Sequence, residues 1–300
     1  MQTTSRILMV RPYRFEFNAE TATNNQFQQK DDSQNVSQMA INEFDALVET
    51  LRSNDIDVTV VQDTPEPWTP DSIFPNNWFS SHIGGELVLY SMFAENRQAE
   101  RKQGILHLLR RKMNHTKLID LTHWENQGEY LEGTGSMIFD RVKNIAYACR
   151  SERTSDKVFQ DFCAKMGFDG VLFDAVDKDG NPIYHTNVIM EVGTQVAIIC
   201  LESIKDDDER NRVVARLNET GKIIIDITLE QVNHFAGNMI ELKSRSGKPI
   251  MVMSESARKA LTPDQKRIIS TYNKIVSSDL NVIEKNGGGS ARCMIAELFY

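Results

Sequence analysis

Near the C-terminus, residues 286 to 299 read NGGGSARCMIAELF and put Gly287, Gly288 and Gly289 just ahead of Cys293. A cysteine in that setting is a core filler, a disulfide partner, a metal ligand or a nucleophile. Cys149, Cys163, Cys200 and Cys293 stand far apart, with no C-x-x-C pair and no close histidine. Metal and disulfide readings are therefore weak, and neither a metal nor a cofactor is expected. A thiolate nucleophile needs an acid/base beside it, and histidine titrates in the right range. His185 in YHTN and Glu132 in LEGTG are the candidates for that base and for a carboxylate that orients a cationic or N–H-bearing substrate. Each residue also has an ordinary reading: buried cysteine, structural histidine, glycine that only turns the chain. Only convergence in space makes a site of them.

The elements that would bring them together are legible as a repeat. Strand signals come in pairs: NWFSSH with ELVLYS, SMIFD with NIAYAC, NVIMEV with QVAIIC, and NMIEL with PIMVM. Close pairs across short turns predict hairpins, and their regular spacing predicts a repeat. After each hairpin comes an amphipathic pattern (97 to 113, 154 to 166, 207 to 219, 263 to 276) and then an apolar strand: KLIDL, GVLFDA, KIIIDI or NVI. A fifth unit forms if CMIAELF at one end pairs with RILMV at the other, followed by a helix burying Ala40, Phe44, Leu47 and Leu51 and by IDVTVV. The expected fold is a five-bladed α/β propeller of strand-strand-helix-strand units, closed by both termini, one domain over residues 1–300.

In that fold the segments preceding the first strand of each hairpin share one phase and converge on one pocket. They are DSIFPNN (71 to 77, with Asp71, Asn76 and Asn77), LEGTG, YHTN, HFAGN (234 to 238) and NGGGSAR before Cys293. The glycines, Gly289 among them, let backbone approach a ligand. No role suggests itself for His234 or Asn238.

Thirty-four basic and forty-two acidic residues leave a net charge of -8, which argues against nucleic acid or an anionic membrane as partner and for a small molecule. With no signal-like N-terminus and no long apolar stretch, a cytoplasmic protein is expected. Nothing fixes the oligomeric state, and a homo-oligomer is compatible with the sequence. The basic stretch RKQGILHLLRRKMNH reads as a packed helix with a solvated face, KDDDER as a helix start, PEPWTPD as a rigid loop at the pocket, and residues 11 to 35 as its cover.

The set FPNN, LEGTGS, SERT, HTN and GGGSARC resembles the guanidino-group-modifying enzymes, or penteins, which include arginine deiminase, amidinotransferases, dimethylarginine hydrolase and succinylarginine dihydrolase. RPYRFEFNAETATNNQFQ with FPNNW is similar to the arginine deiminase-related, amidinotransferase-like branch assigned to citrulline utilisation. The resemblance implies Cys293 as nucleophile, His185 as general acid/base, Glu132 as the substrate-orienting carboxylate and Arg153 as the holder of the substrate's α-carboxylate. Arginine-using members carry Asp where this chain has Asn77 and Asn187. An amide has no charge for a guanidinium but donates N–H to a carbonyl, which points to the ureido group of citrulline; in the ordinary reading these asparagines cap turns. Asp71 and Glu132 keep arginine open as a substrate. An amidinotransferase using the same Cys, His and Glu, or a propeller that only binds, are the rival readings.

Overall fold

The computed structural model describes residues 1–30, 35–112 and 117–300. All the expected hairpins form. They build five three-stranded sheets, each with an antiparallel first pair and a parallel second pair. A parallel neighbour cannot follow a tight turn, so each hairpin is continued by a helical crossover. Phe79–Ser81, Glu86–Leu89 and Lys117–Asp120 form one sheet, and Met137–Asp140, Ile145–Cys149 and Asp169–Phe173 the next. Met190–Val192, Val196–Ile199 and Ile223–Asp226 form the third. Another sheet joins the chain ends: Ala296–Glu297 runs antiparallel to Arg6–Arg11, which runs parallel to Asp57–Gln62.

Two expectations need correction. In the unit containing Ile240–Lys243 and Pro249–Ser254 the third strand is Lys274–Ser278, not NVI at 281 to 283. The helix there ends at Tyr272, the β-branched pair Ile275-Val276 aligns with Met251-Val252, and NVI belongs to the helix Asn281–Gly287. The helix expected over 97 to 113 is two pieces, Glu95–Gln98 and Gln103–Lys112, because Arg97 and Glu100 turn inward and bond to each other. Its expected end at residue 113, like residues 31 to 34 of the expected cover, lies outside the described residues.

Helix burial follows the 3.6-residue period. Val36–Ser53 buries Ala40, Ile41, Phe44, Leu47, Val48 and Leu51, and Asp156–Met166 buries Val158, Phe159 and Phe162. Truncating a wholly buried ring such as Phe44 would cost about 3–5 kcal/mol. KDDDER does start a helix: Asp206 accepts from the Glu209 N–H, and three acids fill the first turn. Among the described residues no helix is long and apolar enough to cross a membrane.

Antiparallel pairing decides what meets at each end of a sheet. Residues before a first strand and residues after the second strand lie at the same end. At that end the buried turns Pro75–Asn77, Gly133–Ser136 and Thr186–Val188 pack side by side. First strands also touch from sheet to sheet: Met137–Asp140 packs on Met190–Val192, that strand on Ile240–Lys243, and Ala296–Glu297 on Phe79–Ser81.

Candidate active site

Cys293, His185, Asp71, Asn77 and Arg153 line one cavity at the end where those turns meet, together with Gly287, Gly288 and Gly289. Cys293 follows the helix Asn281–Gly287 and its glycine exit. Gly288 takes φ +62°, and a Cβ there would run into the Asn25 carboxamide, so only glycine fits. The thiol is held from two sides: Asn187 Nδ2 donates to Sγ at 3.3 Å and Asn238 Nδ2 at 3.1 Å. Asn238 is fixed in that sense, since its Oδ1 accepts from the Arg292 N–H and its Nδ2 also reaches the Asn187 carbonyl at 2.9 Å. Two amide N–H groups converging on sulfur suit a thiolate. Burial pushes the other three thiols, Cys149, Cys163 and Cys200, up to about 12.

His185 donates from Nε2 to Glu132 Oε2 at 2.8 Å, because an ionised carboxylate can only accept. That leaves Nδ1 as the basic nitrogen. Burial lowers the His185 pKa to about 4 despite the hydrogen bond and charge of Glu132, so the ring is neutral near pH 7. For Glu132, burial alone would raise the pKa; the charge of Arg153, then His185 and Arg97, more than offset it and hold the carboxyl at about 2. Glu132 is fully buried behind His185 and is not part of the cavity lining. Its Oε1 accepts from the Phe93 N–H at 3.0 Å. It sits behind the imidazole, bonded to Nε2, and not at the cavity wall where a substrate-facing carboxylate is expected.

The other expected residues divide. Asn77 and Asp71 reach the cavity, with Asn77 Nδ2 and Asp71 Oδ1 buried and without a hydrogen-bond partner among the described residues. Asn76 lies behind it, donating to Thr134 Oγ1 at 3.3 Å under the Glu132 turn. His234 is half exposed beside Glu230 and away from the lining. The PEPWTPD loop reaches the lining through its last residue, Asp71, and the expected cover does so through Thr21 and Asn25, which close the cavity from above. Thr21 Oγ1 and Asn18 Nδ2 donate to Asp71 Oδ2, Gln28 Nε2 donates to the Asn286 carbonyl, and Arg153 holds the cover through the Thr21 carbonyl (2.8 Å) and Asn24 Oδ1 (2.8 Å from Nε). Arg153 Nη1 stands 3.6 Å from Glu132. With the cover in place the cavity is narrow, with room for about a single water. A wider groove of about 720 Å³ between Gly128 and Pro182 contains neither cysteine nor histidine.

Arg97 is the lining residue that sequence reasoning missed. It is 2% exposed, forks onto Glu100 at 2.8 and 3.1 Å, and donates to the Phe74 carbonyl and to Asn77 Oδ1. Burial works against its charge, but Glu100, Asp71 and Glu132 keep it protonated. The signal was that Arg97, like Arg153, follows the second strand of a hairpin.

No curated protein matches the chain. Among solved structures it is similar to ArgZ, an arginine dihydrolase from the ornithine-ammonia cycle in Cyanobacteria, with a TM-score of 0.76 and 17% identity over 98% of this chain. The chain spans 40% of that protein's length. Against the N-terminal domain of ArgZ bound to substrate, the TM-score is 0.73 at 17% identity, covering 98% of both chains. DDAH from Pseudomonas aeruginosa, complexed with citrulline, gives 0.69 at 15% identity over 99% of this chain and 100% of that one. At such identities the likeness is one of fold. The model of the family "N,N dimethylarginine dimethylhydrolase, eukaryotic" matches residues 11–300. The chain therefore belongs to the N,N-dimethylarginine dimethylhydrolase family, within the guanidino-modifying pentein enzymes.

Proposed function

We propose that the protein is a cysteine-dependent hydrolase that converts citrulline to ornithine, carbon dioxide and ammonia. Its family is one of hydrolases acting on C–N bonds of guanidino compounds. The reading for this chain is carried by one observation: the Cys293 thiol, His185 and the unpartnered polar atoms of Asp71 and Asn77 belong to one small cavity. The residues from 1 to 300 are read as one domain whose five sheets close into a propeller around that cavity. Contacts between first strands of neighbouring sheets support the closure.

In the proposed reaction His185 Nδ1 takes the proton of the Cys293 thiol, and the thiolate, steadied by Asn187 and Asn238, attacks the ureido carbon. Amide donors stabilise the charge that develops on the carbonyl oxygen. The C–N bond to the terminal nitrogen breaks, and ammonia leaves with a proton delivered through His185 Nδ1. Water, deprotonated by the same nitrogen, attacks the thiocarbamate left on sulfur. The carbamate released loses carbon dioxide to give ornithine. Arg153 exchanges its bonds to the cover for the substrate's α-carboxylate when the cover opens.

A second reading, hydrolysis of arginine, is favoured by Asp71 Oδ1, an unpartnered carboxylate oxygen able to accept from a guanidinium. DDAH from Pseudomonas aeruginosa complexed with citrulline and ArgZ as an arginine dihydrolase bracket the two readings. Product analysis with citrulline and arginine supplied separately tests them. Ornithine from citrulline alone supports the first reading, and faster turnover of arginine replaces it with the second.

A further inference from the structure

Donors and acceptors can be counted around Asn77. Its Oδ1 accepts from Arg97 Nη1 at 2.8 Å. A guanidinium has N–H groups and no acceptor, so this contact decides which end of the carboxamide faces which way. The oxygen turns to Arg97 and the NH2 is left on the other side. There Nδ2 is buried with no partner among the described residues. It stands next to His185 Nδ1: a Cβ on Gly135 would collide with both atoms, so the glycine keeps room for the pair. Arg97 has little freedom to let the amide flip. Nε and Nη2 are bonded to both Glu100 oxygens and Nη2 also to the Phe74 carbonyl, which with the Asn77 bond uses four of its five N–H groups.

We propose that the Arg97–Asn77 hydrogen bond sets the substrate specificity of this site: it presents the cavity with an amide N–H that a ureido carbonyl can accept and a guanidinium, which has only donors, cannot. The inference rests on the reading that Cys293 attacks the head group of an arginine-related amino acid. Arg97 is a positioning residue that acts through Asn77. Leaving a buried donor without an acceptor costs about 1–3 kcal/mol, roughly a ten- to hundredfold preference between two head groups of nearly the same shape.

The test is the ratio of kcat/KM for citrulline to that for arginine in wild type and three variants. Asn77→Asp keeps a bond to Arg97 and replaces the exposed N–H by an acceptor oxygen; the ratio should fall at least about tenfold, through a lower KM for arginine. Arg97→Gln, which can donate or accept, should relax the ratio toward one. Arg97→Lys has donors only and should restore it. General damage to the fold would slow both substrates together and leave the ratio unchanged. An unchanged ratio in Asn77→Asp overturns the proposal, as does a wild-type protein that prefers arginine. If wild type turns over neither compound, the reading of the reaction fails by itself. The orientation of Asn77 is then judged by binding of citrulline and arginine to Cys293→Ser and to Cys293→Ser/Asn77→Asp. A preference for citrulline that the second substitution reverses supports it, and equal binding in both proteins overturns it.

Discussion

The two ends of the sheets both bury polar side chains, but they treat them differently. At the hairpin ends, Gln2 gives both amide N–H groups to the carbonyls of Phe139 and Val192, each at 2.7 Å, and accepts from the Arg141 N–H. Glu241 accepts from the Thr194 N–H and from Asn273 Nδ2, Glu191 accepts from the Glu241 N–H, and Arg141 reaches Glu297 at 3.2 Å. Of this cluster Arg292 Nε and Asn273 Oδ1 have no hydrogen bond among the described residues, and Asp140 Oδ2 at the same end has only Lys222 Nζ at 3.3 Å. At the opposite end, around Cys293, the unpartnered atoms include Asp71 Oδ1, Asn76 Oδ1, Asn77 Nδ2 and Asn187 Oδ1. Buried polar groups are nearly always satisfied, so a local concentration of exceptions marks the place where a ligand completes the bonding. The hairpin end is tied mainly by its own bonds, and the other end concentrates its gaps around one thiol.

The comparison breaks most sharply at the thiol. Cys293→Ser should reduce citrulline turnover by a factor of about 10³ or more while the melting temperature stays within a few degrees, checked by steady-state assay and thermal unfolding. His185→Gln should cost about 10²–10⁴ in kcat. The wild-type pH profile of kcat/KM sharpens this. Protonation removes the Nδ1 lone pair, so activity falls as pH falls, and with His185 at about 4 the decline begins well below the ordinary histidine range. Stability carries the same sign. A pKa lowered in the folded state contributes stability that is complete above about 6.5 and is lost as pH falls toward 4, and that slope should disappear in His185→Gln.

At the satisfied end the expected loss is in folding. Arg141→Met removes one of the two arginines beside Glu297, leaving Arg292 at 3.5 Å, and takes a cation from above the Phe299 ring, at a cost of about 2 kcal/mol in urea unfolding. The smallest effect separates the two regions most cleanly. Asn77→Ser should change stability by only about 1 kcal/mol, because deleting the unpartnered N–H partly offsets the acceptor that Arg97 Nη1 loses, yet it should damage turnover. A large stability loss there would assign Asn77 to the scaffold.

Much of this was legible in the sequence. Hairpin pairs followed by helices gave the five sheets, because strand alternation and helix period are local signals, and the phase of the segments before each first strand predicted which residues meet. Three things were not legible. Lys274–Ser278 was absorbed into a helix because its apolar residues continue the helical period that ends at Tyr272. Arg97 was missed because the phase argument followed only the segments before first strands, although antiparallel pairing brings the residues after second strands to the same end. Asn238 lay in phase without a role until its two amide hydrogens were seen to reach the Asn187 carbonyl and the Cys293 sulfur. Pairing within a sheet is written locally; the direction in which a carboxamide turns depends on a neighbour from a distant part of the chain.

The central claim is that the incomplete end does covalent chemistry on sulfur. The most direct measurement is the mass of the intact protein after rapid acid quench during citrulline turnover, with peptide mapping of the adduct. The account predicts an increase equal to citrulline less ammonia, confined to the peptide containing Cys293 and absent in Cys293→Ser. Ornithine formation that persists in Cys293→Ser, or an adduct on Cys149, Cys163 or Cys200 instead, would contradict it.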